Sequence, residues 1–320
     1  DGDEREDRRN DEQLLQPLPI FELIARHRDD EQHQQQRENA RDGDHEVIHL
    51  ENRPDRQAPV YKEAIKYATD VINTGIYRVL PNNELTTNGF NNVGTNCWMW
   101  GQDVTTETAT GLGSFFGQVD IHSYSYAYAG DTKVIDQNLR EEIPTWDGRS
   151  GWFNDGKTNS KFLDCPDGKF FSASNPYSTK DNELDREWLS DNVFMRVELM
   201  YLIAAEASFM TNEDADAITY LRGITDNRMN LNNVNAATEY DDYLLTLSNR
   251  NILREALMYN WRIELWGEGY GLQTFRRIDM PNKRKRGGNH LDQGGKEVDN
   301  TDVGYTFQIP GSETTYNPNF

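Results

Sequence analysis

The chain has no uninterrupted apolar run of about 18 residues, the length that a membrane-spanning helix needs, and only two cysteines in 320 residues. The first absence excludes a transmembrane helix. The second excludes a disulfide-stapled scaffold and a multi-cysteine zinc site, while leaving one bridge between Cys97 and Cys165 open. Positive charge is short as well, with 33 Lys plus Arg against 54 Asp plus Glu, a net −21 at pH 7. A surface of that sign repels phosphate backbones and excludes general nucleic-acid binding. Signatures of chemistry are missing too: no G-x-S-x-G elbow, no P-loop, no G-x-G-x-x-G, no H-E-x-x-H and no D-x-[DN]-x-[DN]-G calcium loop. Neither Met nor a signal peptide opens the chain at Asp1, as in a mature form or a fragment. Hydrophobic residues make up 36% and the mean hydropathy is −0.86, which implies a large polar surface and long loops.

Residues 1–57 lack Lys, Ser, Thr, Tyr, Trp, Cys and Met altogether, and hold 9 Arg against 17 Asp plus Glu. Gln-rich stretches and one apolar island, Leu18 to Ile24, complete a composition typical of disorder. Four of the six His (His27, His33, His45 and His49) fall here. They have no Cys partner or H-E-x-x-H spacing to make a metal site. The segment is therefore set apart, as polar and of doubtful order, from a second domain over residues 58–320.

Within that domain Tyr61, Ala64, Ile65, Ala68 and Ile72 recur at helical spacing, with Gly75 placed to end the helix. Residues 76–190 are rich in Gly, Asn, Asp and aromatics, and predict a long irregular region with a few short strands. Helices return over 191–280. Phe194 to Met210 is apolar on nearly every face, the mark of a central core helix. Residues 213–229 pair with it as a hairpin. Thr238 and Asp241 form a T-x-x-D start for a long helical stretch running to Gly267 and Gly269. The tail after residue 280 reads as loop, with a β-like stretch from Tyr305 to Pro310. No βαβ alternation occurs, so an open α/β sheet is disfavoured.

Four stretches carry a family resemblance: Tyr61-Lys62-Glu63-Ala64-Ile65-Lys66-Tyr67-Ala68 onward to Tyr77; Met195-Arg196-Val197-Glu198-Leu199-Met200-Tyr201-Leu202-Ile203-Ala204-Ala205-Glu206-Ala207; Trp261-Arg262-Ile263-Glu264-Leu265-Trp266-Gly267-Glu268-Gly269 with Arg276-Arg277; and Phe307-Gln308-Ile309-Pro310 before Asn317-Pro318. In order and spacing, over roughly residues 60–320, they resemble the SusD/RagB family of outer-membrane nutrient-binding lipoproteins. The resemblance implies a mainly α fold of tetratricopeptide-like helical hairpins carrying a large loop-rich insertion. It implies a non-catalytic binding subunit on the cell surface, lipid-anchored at the outer membrane. Such a subunit captures oligosaccharides, or peptides in one branch, for a TonB-dependent transporter of the SusC/RagA kind. The family's lipid-bearing Cys has no counterpart in this chain. A helical-repeat interaction scaffold without a small ligand is the rival from another class.

Sugar rings stack on indole and phenol faces while their hydroxyls bond to amides, carboxylates and guanidinium groups. On that chemistry Trp98 and Trp100, two apart and so on one side of a strand, are ligand candidates. Trp146 and Trp152 are candidates too, with Asp147, Arg149 and Asn154 beside them. The Tyr124, Tyr126 and Tyr128 stripe has the same strand spacing, with a buried strand face as the alternative. Trp188, Trp261 and Trp266 read as scaffold. Glu198 and Glu206, eight apart, lie near one helix face with Arg196 close by. They read as an ion-pair network with Arg262, Glu264, Glu268 and Arg276 or Arg277, and a glycosidase pair is disfavoured. No catalytic residue, metal ligand or cofactor is assigned. Calcium in the loop from Asp164 to Gly168 is the one conceivable ion. Lys283 to Arg286 reads as a solvated basic loop.

Overall fold

The computed structural model describes residues 54–86, 90–121, 125–157, 160–170, 189–278, 280, 282–283, 288–289, 297–298 and 309–317. The chain divides into two units, Asp1–Gln57 and Ala58–Phe320. Apart from residues 54–57 the first unit lies outside the described residues, and with it the expectation of its doubtful order. So do Tyr124, Trp188, Arg284 to Arg286 and Tyr305 to Gln308.

The expected first helix is α1 (Pro54–Asn73). Ala68 and Val71 are buried on its inner face, and the chain leaves it through Gly75 at φ +65°, a left-handed turn that glycine adopts without strain. Among its described residues the loop-rich region then contains one strand, β1 (Trp98–Gln102). There it otherwise forms short helical turns, among them α2 (Phe115–Val119), α3 (Tyr126–Ala129), α4 (Gln137–Glu142), a 3-10 turn over Gly148–Trp152, and α5 (Asp167–Phe170). Side chains start most of them. Ser114, Ser125, Asp136 and Asp147 accept hydrogen bonds from the backbone N–H groups of Gly117, Tyr128, Leu139 and Arg149. Part of the Asp content of this stretch is thus cap chemistry, shared with Ser114 and Ser125. It also corrects the tyrosine stripe: Tyr126 and Tyr128 belong to a helical turn, α3.

The second half begins with β2 (Asn192–Arg196), followed by α6 (Val197–Met210) and α7 (Asp214–Thr225). Phe194, expected to open the helix, instead stands in the strand. β2 pairs antiparallel with β1, Trp98 opposite Arg196 and Gln102 opposite Asn192. The single long helix expected after Thr238 is two, α8 (Ala236–Thr246) and α9 (Arg250–Glu264). The start signal that operates is Asn249, whose side chain accepts from the N–H groups of Asn251 and Ile252. After α10 (Gly271–Arg277), the tail holds a short antiparallel pair, β3 (Asn282–Lys283) with β4 (Glu297–Val298), and α11 (Gly311–Tyr316), where loop was expected.

Among the described residues two main apolar cores form, beside smaller clusters around Phe162 and Trp146. The helical core gathers Leu202, Ala204 and Ala205 of α6 with Ala217, Leu221 and Ile224 of α7 and Leu253, Leu257 and Trp261 of α9. The hairpin is tight: a Cβ on Gly223 would stand 2.3 Å from a Tyr201 ring carbon, so the contact requires glycine. The second core draws Leu80, Phe90, Cys97, Trp98, Trp152 and Phe170 of the loop-rich region onto Val197 and Ile263 of the helices. Cys97 and Cys165 are both buried free thiols. Burial holds each well above the usual thiol range, that of Cys165 at about 12.

Candidate functional site

The second core closes around charge. Glu264, at the end of α9, accepts from three guanidinium groups: Arg149 Nη1 at 3.0 Å, Arg196 Nη1 at 2.7 Å, and Arg228 through Nε at 2.9 Å and Nη2 at 2.7 Å. Arg149 also grips Asp147 with Nε and Nη2, at 3.0 and 2.7 Å. The Tyr259 hydroxyl donates to Asp147 at 2.7 Å. Glu198 pairs with Arg196 and Arg228, and accepts from the Leu80 N–H at 3.0 Å. Glu268 takes Arg196 Nε at 3.0 Å and Lys169 Nζ at 2.7 Å. Four cations (Arg149, Lys169, Arg196, Arg228) therefore meet four carboxylates (Asp147, Glu198, Glu264, Glu268), all with side chains 0–4% exposed and no net charge left over.

Buried charge costs several kcal/mol per ion unless paired, and here pairing governs ionisation. Burial alone would raise the Glu264 pKa, but Arg228 and Arg196 hold it well below the usual carboxylate range. Glu268 is likewise held low against burial by Arg196 and Lys169. Burial brings Lys169 down to about 8, the Glu268 charge opposing it. A general acid needs a raised carboxyl pKa, and Glu264 and Glu268 are shifted the other way. The network reading of Glu198, Glu264 and Glu268 holds. Glu206 pairs with Arg277 at 2.8 Å, as expected, whereas Arg262 reaches Asp136 and Glu142 instead of the network. Arg228, Arg149 and Lys169 were not foreseen as members.

This arrangement corrects most of the aromatic and polar candidates. Trp152 has no exposed surface, and its indole N–H donates to the Leu85 carbonyl at 2.7 Å. Trp146 is 3% exposed and packs on Tyr240 and Tyr243, ring centroids 4.8 and 5.0 Å away. Asp147 and Arg149 lie in the charge network with no exposure. None of these four presents a face to a ligand. Asn154 is half-buried and holds its own loop, accepting from the Gly156 N–H at 2.8 Å and donating to Asp167 at 3.3 Å. Asp164 pairs with Arg140. Among the described residues no group of three or more His, Cys, Asp or Glu side chains gathers as a metal site, and no helix is long and apolar enough to cross a membrane.

Trp98 and Trp100 part company. A bulge interrupts the β1–β2 ladder between them, and an extra residue breaks the two-residue alternation of a strand. Trp98 turns into the core at 5% exposure, whereas Trp100 stands 59% exposed. Its ladder partner is Met195, and its ring meets that of Phe194, 43% exposed, with centroids 5.1 Å apart at 62°. The Tyr270 hydroxyl donates to the Phe194 carbonyl at 2.8 Å and fastens the strand to the α10 end of the chain. Together with Val193, Gln273 and Arg277 these residues line a hollow of about 530 Å³ whose floor carries Glu268. The hollow thus offers what sugar capture requires: exposed ring faces, an amide, and a scaffold locked from beneath. Sequence reasoning missed Phe194 and Tyr270. Val193, Phe194 and Met195 are all apolar, so no local signal marks which of them faces outward.

The sequence pattern of the SusD family matches residues 124–320, more than half of the chain, and the first quoted motif lies before that interval. Among solved structures the fold is similar to that of a SusD superfamily protein from Bacteroides thetaiotaomicron, with TM-score 0.58 and 22% identity over 82% of this chain and 56% of that one. It is similar to a SusD-like carbohydrate binding protein from Bacteroides vulgatus, with TM-score 0.57 and 21% identity over 82% and 56%. A SusD superfamily protein from the same species matches at TM-score 0.57 and 20% identity, over 82% and 54%. The chain thus spans a little over half the length of these structures. No curated protein matches the sequence. The comparisons point to no enzyme family.

Proposed function

The chain belongs to the SusD family, and on that premise we propose that it captures oligosaccharides without transforming them, holding them against Trp100 and Phe194. The observation that carries this reading is the exposure of Trp100, 59%, beside a second aromatic ring and above a saturated charge network. An indole face of that size, left in water on a rigid strand, suits the apolar face of a pyranose, and Gln273 and Arg277 at the rim suit its hydroxyls. The carbohydrate-binding description of one similar structure supports the same ligand class. In keeping with the family resemblance, the protein acts at the cell surface as an outer-membrane lipoprotein and passes its ligand to a TonB-dependent transporter. It needs no cofactor for that task.

Intrinsic tryptophan fluorescence of the parent and Trp100→Ala, titrated with polysaccharides, oligosaccharides and peptides, tests the proposal. Saturable responses to sugars that weaken about tenfold or more in Trp100→Ala support it, as expected for loss of a stacking contact worth roughly 1.4 kcal/mol or more. Saturation by peptides alone moves the protein to peptide capture. Responses to neither class in the parent, with the fold intact by circular dichroism, contradict ligand capture and favour an interaction scaffold.

A further inference from the structure

Beside the platform lies a second hollow, of about 460 Å³. It shares Val193, Phe194, Glu268 and Gly269 with the Trp100 hollow, so a chain molecule seated on Phe194 can pass from one into the other. The passage is open at Gly269, where a Cβ would meet nothing within 4 Å. The rings of Phe90, Phe116 and Phe170 border the second hollow only from the core, each at most 2% exposed. What it offers instead is polar atoms that the fold does not use. The exposed Thr110 makes no side-chain cap to the turn that follows it. Ser114 accepts from the Gly117 N–H at 2.9 Å and keeps its own O–H to donate. Asn192 spends its amide nitrogen on Gln102 Oε1 at 3.2 Å and keeps Oδ1 to accept. Among the described residues none of these three atoms has a protein partner. The carboxylates at the rim, by contrast, are engaged. Asp191 accepts from the N–H groups of Val93 and Val104 at 2.8 and 2.9 Å, and Glu268 is held by Arg196 and Lys169. The hollow therefore presents neutral donors and acceptors, and a sugar hydroxyl, which both donates and accepts, matches them.

We infer that this hollow is a subsite for the sugar unit next to the one stacked on Trp100, its hydroxyls bonded by Thr110, Ser114 and Asn192, so that the protein selects chains of neutral sugars over single units. The inference rests on the platform reading. Calorimetric titration of the full chain with methyl glycosides of glucose, galactose, mannose and xylose, and of their homodisaccharides, separates the two. The disaccharide of the bound sugar is expected to bind about tenfold tighter than the single unit, a difference of roughly 1.4 kcal/mol. Gly113 lines the hollow, and a Cβ there would meet nothing within 4 Å. Gly113→Leu fills the space, and the double variant Thr110→Val, Asn192→Ala removes two of the polar atoms. Each should erase most of the disaccharide advantage while leaving single-unit affinity within about twofold of the parent, as a contact outside the Trp100 hollow requires. Trp100→Ala should weaken both ligands. Equal affinity for the two lengths, or a disaccharide advantage that survives both groove variants, overturns the subsite while Trp100-dependent binding still stands. Binding of both lengths untouched by Trp100→Ala, or of neither in the parent, overturns the platform reading instead.

Discussion

The charge network around Glu264 and the hollow around Trp100 meet at one residue, Glu268, yet they are built on opposite terms. In the network, cations and carboxylates are matched and excluded from water. Three arginines share the Glu264 carboxylate, and backbone carbonyls take up remaining donors, as the Leu80 carbonyl does for Arg228 at 2.7 Å. In the hollow, Trp100 and Phe194 keep 59% and 43% of their surface in solvent. Charge in this molecule builds the frame, and aromatic surface is what the frame displays. The helices would pack without the network, through Leu202, Leu221 and Leu257. The loop-rich region could not, because its helical turns are too short to be stable alone. It is held by Arg149, Lys169 and Trp152, which reach from that region into the junction with α6 and α9.

The sharpest way to break the contrast is at its centre. Glu264→Ala leaves three buried guanidinium groups sharing fewer carboxylates and is predicted to cost on the order of 3–5 kcal/mol, read as a fall in the urea midpoint. Trp100→Ala should leave that midpoint within about 0.5 kcal/mol. An equal loss in both would mean that Trp100 belongs to the frame. Trp152→Ala comes next, at roughly 3–5 kcal/mol for an emptied core site. Sugar affinity in this variant should be retained at temperatures where it stays folded.

Dependence on pH separates the two regions further. The folded-state pKa values of Glu264 and Glu268 lie below the ordinary 4.5. Their stabilisation is present above the unfolded value and lost as pH falls through the folded values, so acid unfolding should set in below about pH 4.5. Lys169 has the opposite charge type, with a folded value of about 8 against 10.5. Between those pH values the unfolded chain binds more protons, so this residue adds stability as pH rises, on the order of 3 kcal/mol across the window. The stability difference between parent and Lys169→Met, followed by denaturation from pH 7 to 10.5, should shift in the parent's favour by an amount of that order. A constant difference would place the Lys169 pKa outside the window. The smallest effect belongs to the exposed α1 pair Lys66–Asp70, 2.6 Å apart. Lys66→Ala should leave the urea midpoint unchanged within measurement error.

The helices were legible where apolar spacing carried them. α1, α6 and α7 follow from their periodicity, and the Met195–Ala207 and Trp261–Gly269 motifs identified the fold through charges set in apolar helices. Failures came where local pattern does not encode burial. Asp147, Arg149 and Trp152 stand in a Gly- and Asn-rich stretch that reads as surface, but the partners that bury them, Glu264, Tyr259 and Leu85, lie 67–115 residues away in sequence. Trp98 and Trp100 satisfied the strand rule, and a bulge hinted at only by Gly101 beside them turned one inward. Thr238 lost to Asn249 because the break between α8 and α9 depends on packing at Leu247, which is buried in the helical core.

The central claim is that one tryptophan among those placed by the structure in the loop-rich region faces a ligand. Oxidative footprinting read by mass spectrometry tests it most directly, with and without the tightest-binding oligosaccharide. The account predicts rapid oxidation of Trp100 that the sugar suppresses, and slow, sugar-independent oxidation of Trp98, Trp146 and Trp152. Protection of Trp146 or Trp152 by the sugar, with Trp100 unaffected, would contradict it.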